Sequence, residues 1–155
     1  MKAFKWVFAT WAVGVLCTAG LAQASDGLVG LRSPYTAKDT MDRLEANAKA
    51  RGFTVFARVD HAAGAAQVGK KLRPTEVLIF GNPAGGTLFM ECAQSIGIDL
   101  PLKALVWEDA SQQVWLAYND PAFIAQRHET PKCAAVEPTR KALSGLVEAT
   151  VAPKP

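Results

Sequence analysis

The chain has 155 residues, half of them hydrophobic and a fifth charged, with a formal charge of +3 at neutral pH. Two of its 17 basic side chains, Lys2 and Lys5, lie at the very start, so from residue 25 onward 15 bases face 14 acids. That balance gives no electrostatic case for nucleic acid or an anionic membrane, each of which needs a clustered basic surface.

Lys2 and Lys5 form a short positive region, and Trp6 to Leu21 carries no charge. Ala22-Gln23-Ala24 then places small residues at the two positions a signal peptidase inspects, which predicts a secretory signal peptide over 1–24, cleaved before Ser25. A membrane anchor is the competing reading. The run is short for a span of about 20 residues and is interrupted by Gly14, Thr18 and Gly20. Lipidation at Cys17 is excluded because bulky Leu16 precedes it. The expectation is an exported protein, periplasmic or else secreted, with one domain over 25–155 and no membrane attachment after leader cleavage.

Within that domain, Leu28–Leu31 reads as a strand broken by Ser33-Pro34-Tyr35. Thr36 is a natural N-cap with Asp39 three residues on, and Met41, Leu44 and Ala48 recur at helical spacing up to Gly52. Phe53–Val59 is a second strand, with Phe53, Val55, Ala57 and Val59 assigned to one face. Asp60 caps a short helix from His61 to about Gly69, weakened by Gly64. Glu76–Phe80 is a strand stopped by Gly81-Asn82-Pro83, and Thr87 is read as the cap of a helix carrying Phe89, Cys92, Ala93 and Ile96 on one side. Lys103–Trp107 and Gln113–Tyr118 read as a hairpin. Asp120-Pro121 opens a short helix toward His128, and a last helix from Glu137-Pro138 buries Leu143, Leu146 and Val147.

This is one α+β domain. Its strands at 77–80, 104–107 and 114–118 are apolar on both faces, so the face that helices leave open needs a cover. A homodimer pairing these surfaces is the favoured cover, and a ligand cleft is the alternative. Two cysteines remain after the leader, Cys92 and Cys133. An even count in an oxidising compartment favours a disulfide over two separate thiols or a metal pair.

Arg73-Pro74-Thr75-Glu76, Phe80-Gly81-Asn82-Pro83, Gly86-Thr87 and Asp99-Leu100-Pro101-Leu102-Lys103 follow one another in order. Val106-Trp107-Glu108-Asp109, Val114-Trp115 and Tyr118-Asn119-Asp120-Pro121 continue the series, with His61 and Gly69 upstream. Over roughly residues 28 to 148 the chain resembles the family called domain of unknown function 302. The resemblance implies a TATA-binding-protein-like layout, a curved antiparallel sheet of about five strands with helices on one face in β-α-β4-α type order, commonly dimeric. It implies no reaction, and a fold shared with a DNA-binding protein is no evidence of DNA binding.

No catalytic signature stands out. His61, where a strand meets a helix beside Asp60, suits a general base or metal ligand near Glu108, or else simply holds that corner. The loop Gly81–Thr87 offers backbone N–H groups to an anion but lacks the ending of a phosphate-binding loop. Cys92, Cys133, His61, His128 and Met90 are metal-ligand types without diagnostic spacing. Trp107, Trp115 and Tyr118 suit either a stacked apolar ligand or sheet packing. The leading expectation is non-catalytic capture of a small ligand by His61, Asn82, Trp107 and Tyr118, with no cofactor. The alternatives are an enzyme built on His61 and a structural interaction module.

Overall fold

The computed structural model describes residues 23–25 and 27–153. Residues 1–22 of the expected leader therefore lie outside the described residues. Six strands, β1 (Gln23–Ser25), β2 (Leu28–Ser33), β3 (Thr54–Asp60), β4 (Thr75–Gly81), β5 (Leu102–Glu108) and β6 (Val114–Asn119), form one sheet in the order β1-β2-β6-β5-β4-β3. All neighbours are antiparallel. Five long strands carry the sheet, and β1 is a three-residue edge piece. The helices are α1 (Ala37–Ala50), α2 (His61–Gln67), α3 (Pro83–Cys92), α4 (Pro121–Arg127) and α5 (Val136–Val151), with a 3-10 turn at Gln94–Ile98.

Four helices start where a short polar side chain satisfies an orphan N–H. Thr36 Oγ1 accepts from Asp39 N at 3.1 Å, Asp60 Oδ1 from Ala63 N at 2.9 Å, and Asp120 Oδ1 from Ala122 N at 2.8 Å. The fourth corrects the sequence reading. Asn82, not Thr87, caps α3, its Oδ1 accepting from Ala84 N at 2.9 Å with Pro83 at the first helical position. Thr87 lies inside that helix and donates to Pro83 O at 2.9 Å. The helix also ends at Cys92, so Ile96 belongs to the following 3-10 turn rather than to the same helical face as Phe89.

Register sorts the strands into two faces. Leu78, Ala104 and Tyr118 align in one row, and Val106 and Leu116 in the next, all pointing at α1 and α5. With Met41, Leu44 and Ala48 of α1 and Leu143, Leu146 and Val147 of α5 they form the main core. Each such large side chain contributes about 1.5–3 kcal/mol on burial. The opposite face carries the rows Val59–Val77–Leu105–Ala117 and Thr75–Trp107–Trp115–Arg32. Val77, Leu105, Trp107 and Trp115 stay half-buried and belong to neither buried cluster of the described residues.

β3 departs from the single apolar face read from its sequence. A bulge between Val55 and Ala57 shifts the register, so Val55 opposes Phe80 toward the helices while Ala57 and Val59 oppose Ile79 and Val77 on the outer face. One extra residue in an antiparallel strand reverses the facing of everything beyond it. Arg58 consequently turns toward α1 and pairs with Asp42, Glu45 and Glu76.

Candidate functional site

A second, smaller buried cluster stands apart from the main core. It joins Phe89, Ile96, Ile124, Ala125, Cys133, Ala135 and Val136, and so gathers α3, the 3-10 turn, α4 and the start of α5. Cys92 and Cys133 are joined in a disulfide across it, with Cα atoms 5.8 Å apart and a sequence separation of 41. The bond ties the last residue of α3 to the segment that leads into α5.

α3, the 3-10 turn and the start of α5, together with β3 and the 100–102 segment, line a cleft of about 830 Å³, within the range of small-molecule sites. Phe53 and Phe56 lie on one side, Leu88 and Met90 of α3 on another, and the cis Leu100–Pro101 peptide and Ala142 of α5 on the rest. Leu88, Met90 and Phe56 are 54%, 37% and 56% exposed, unusually open for large apolar side chains gathered in one concavity. Asn82, Thr87, Thr139 and Glu91 supply its polar side chains.

A polar network joins the 3-10 turn to the C-terminal end of α4. His128, the C-cap of α4, places Nε2 2.8 Å from Asp99 Oδ2 and Nδ1 2.8 Å from Ser95 Oγ. Arg127 donates to the other oxygen of Asp99 at 2.8 Å. The imidazole is 9% exposed and the Asp99 side chain 15%, whereas Ser95 is open to solvent.

The comparisons with known proteins fit this architecture. A family model described as "Domain of unknown function DUF302" matches residues 29–150. The chain belongs to the DUF302 family. The crystal structure of an uncharacterized conserved DUF302 protein from Bacillus stearothermophilus superposes with a TM-score of 0.74 at 17% identity, over 80% of this chain and 98% of that one. At that identity the likeness shows the fold. Proteins named fluoride-specific ion channel FluC 1, from Brucella suis biovar 1 and Brucella abortus biovar 1, are 53% identical over 102 residues, 66% of this chain. The chain spans only 40% and 38% of their lengths. Among the described residues no helix is long and apolar enough to cross a membrane.

Within this DUF302 domain, the residues singled out from sequence fall in separate places. Asn82 lines the cleft. His61 is exposed at the first position of α2, and the Asp60 carboxylate beside it caps the helix through Ala63 N. Trp107 is on the outer face, stacked on Trp115 with ring centroids 6.2 Å apart and Arg32 5.2 Å above the Trp115 ring. Trp115 Nε1 donates to Asp109 Oδ2 at 2.8 Å, and this bond, with the Gln113 and Ser111 N–H groups, holds the Asp109 carboxyl below its ordinary value. Tyr118 is buried in the main core, where desolvation first, then the charges of Asp120 and Glu148, push its hydroxyl upward. Glu108 sits at the end of β5, its carbonyl accepting from Arg73 Nε at 3.0 Å. The cleft therefore takes Asn82 alone from that set.

Cys92 and Cys133, counted as a pair in the sequence, are together. Among the described residues no group of three or more His, Cys, Asp or Glu side chains is placed to hold a metal. Ser95 and Arg127 escaped the sequence reading, Asp99 entered it only within the family motif, and His128 only as a helix end and a metal-ligand type. They come from two short elements about 30 residues apart, and no fixed spacing marks them.

Proposed function

We propose that this is an exported DUF302 domain, working in the periplasm, that captures a small apolar ligand in the cleft between α3, the Leu100–Pro101 loop and α5. The cleft itself carries the reading: its size suits a small molecule, and its open apolar side chains lose unfavourable hydration when a ligand covers them. Asn82 is the natural orienting group, since its amide N–H₂ remains for a ligand while Oδ1 caps α3. Export is supported by the leader layout of residues 1–24 and by the Cys92–Cys133 bond, which suits an oxidising compartment.

Displacement of the neutral fluorophore N-phenyl-1-naphthylamine from unreduced protein tests this. Ala142→Trp fills the cleft from α5, and the expected result is at least a tenfold loss of probe affinity with an unchanged circular dichroism spectrum. Equal binding by the filled variant would overturn the reading. Native mass spectrometry of protein taken from the exported fraction then identifies any ligand carried along.

The outer sheet face supports a homodimer as the partner proposal. Val77, Leu105, Trp107 and Trp115 form an apolar patch with Arg32 at its edge, and aromatic and arginine side chains are the usual anchors of interfaces. Trp107→Glu should convert a dimer to a monomer in sedimentation velocity. A wild-type protein that sediments as a monomer at high concentration removes the proposal. The FluC-named relatives favour a further accessory role beside an ion channel, because a stretch 53% identical to this chain is only part of those longer proteins. Deleting the domain would then alter fluoride tolerance of the host cell, and unaltered tolerance would remove the channel from consideration.

A further inference from the structure

We propose that Ser95, His128 and Asp99 form a nucleophilic site for a small apolar acyl ester, separate from ligand capture in the cleft. A carboxylate can only accept a hydrogen bond, so the 2.8 Å contact with Asp99 fixes the proton of neutral His128 on Nε2. Nδ1 is left as the acceptor, and Ser95 Oγ, 2.8 Å away, donates to it. The serine hydroxyl thus faces the basic nitrogen of an imidazole whose other nitrogen is held by a carboxylate. The ring is turned the opposite way from that of serine proteases, where Nε2 faces the serine, but each group holds the same role.

Burial separates those roles. His128 and Asp99 are largely shielded, at 9% and 15% side-chain exposure, while Ser95 opens to solvent where a substrate can reach it. Arg127 is a positioning residue, gripping the second Asp99 oxygen at 2.8 Å. The substrate class follows from the next turn. In a 3-10 helix, side chains at i and i+3 eclipse, so Ile98 stands along the same face as Ser95. Ile98 is 74% exposed and offers an apolar shelf for an acyl chain beside the hydroxyl.

In the reaction, Ser95 Oγ bonds to the ester carbonyl carbon while its proton passes to His128 Nδ1. The carbon–oxygen bond to the alcohol then breaks, and the departing oxygen takes the proton from Nδ1. Water reverses the sequence: Nδ1 accepts a proton from water, the hydroxide bonds to the acyl carbon, and Ser95 Oγ leaves with the proton. Asp99 remains ionised throughout and stabilises the imidazolium.

The test is labelling of the mature, unreduced protein with an alkyl fluorophosphonate, which a serine nucleophile attacks with loss of fluoride. Intact mass and peptide mapping should show one adduct, on Ser95, in the wild type and none in Ser95→Ala, a small surface change that leaves the fold intact. His128→Gln should slow labelling by at least about 100-fold, the usual size of a general-base contribution. An unlabelled wild type, an adduct elsewhere, or a folded His128→Gln protein that labels at the wild-type rate overturns the proposal. Should His128→Gln fail to fold, the wild-type pH profile decides. A labelling rate that rises with a single titrating base supports the site, and a flat profile rejects it. Probe displacement from the cleft by Ala142→Trp reads the other proposal independently.

Discussion

The two buried clusters of this domain are held by different physics. The main core is regular: alternate residues of β4, β5 and β6 meet the heptad-like faces of α1 and α5, and apolar burial is its chief source of cohesion. The smaller cluster has no sheet beneath it. Short helices, a 3-10 turn, a disulfide and the Ser95–His128–Asp99–Arg127 hydrogen bonds assemble it. The first region sets the scaffold, and the second holds both the cleft and the polar network. The lesson is that regular packing builds a platform, while chemistry collects where packing is irregular and specific bonds compensate.

Truncating a core side chain gives the largest effect that separates them. Phe80 is fully buried and meets Phe53 edge-on, with centroids 5.3 Å apart. Phe80→Ala should cost about 3–5 kcal/mol in urea unfolding. The cleft probe should still bind the fraction that remains folded, since Phe80 does not line the cleft. Loss of probe binding at full foldedness would mean that the two regions are coupled more tightly than the clusters imply.

Next comes the disulfide. Closing a loop with 41 residues of separation is worth about 4 kcal/mol in the chain-entropy model and commonly less in practice. Cys92→Ala/Cys133→Ala should lower stability by about 2–4 kcal/mol. Amide exchange should accelerate in α3 and the 3-10 turn before it does in β4–β6. Uniform acceleration would show that the bond serves the whole fold and not the smaller region.

Much of the first region was legible in the chain, and much of the second was not. The period-3.6 apolar pattern placed α1 and α5, and short apolar runs between turn residues placed β4, β5 and β6, because packing covers those segments. β3 misled because Phe56, not a glycine, sits at the bulge, and nothing local announces the extra residue. The α3 cap was readable in principle. Asn82-Pro83 repeats the logic that correctly placed Asp120-Pro121, but the preceding strand made it look like a stop. The disulfide was accessible through arithmetic alone. The Ser95–His128–Asp99 network was not, since its members meet only after two short helices fold back on each other.

A smaller change sharpens the division between stability and binding. Gly85 lies inside α3 and lines the cleft, and a Cβ there would meet nothing within 4 Å. Gly85→Ala should stabilise the protein by about 0.5–1 kcal/mol by restricting the unfolded chain. Because the added methyl narrows the cleft, probe affinity should fall in the same protein. A variant that gains stability and keeps its affinity would place the ligand away from α3.

The smallest effect belongs to the scaffold's surface, where Arg58 links β3 to α1 through Asp42, Glu45 and Glu76. The Asp42 carboxyl is held below its ordinary value by hydrogen bonds from Lys38 first and then Arg58, and that of Glu45 mainly by Lys49. Hydrogen bonding to Glu76 raises the Arg58 guanidinium in turn. Depressed carboxyls bind protons less readily in the folded state than in the unfolded chain. Their stabilisation is therefore complete above the ordinary values of 3.8 and 4.5 and fades as pH falls through the lower folded ones. Asp42 is 43% exposed, so solvent screens much of this. Arg58→Gln should cost only about 0.2–1 kcal/mol near pH 7. The deficit should shrink in urea unfolding as pH falls below those ordinary values and the depressed carboxylates begin to take up protons in the folded state too. A deficit that persists in acid would assign Arg58 to packing of its aliphatic stem against α1, and the scaffold's edge would then rest on burial like its centre.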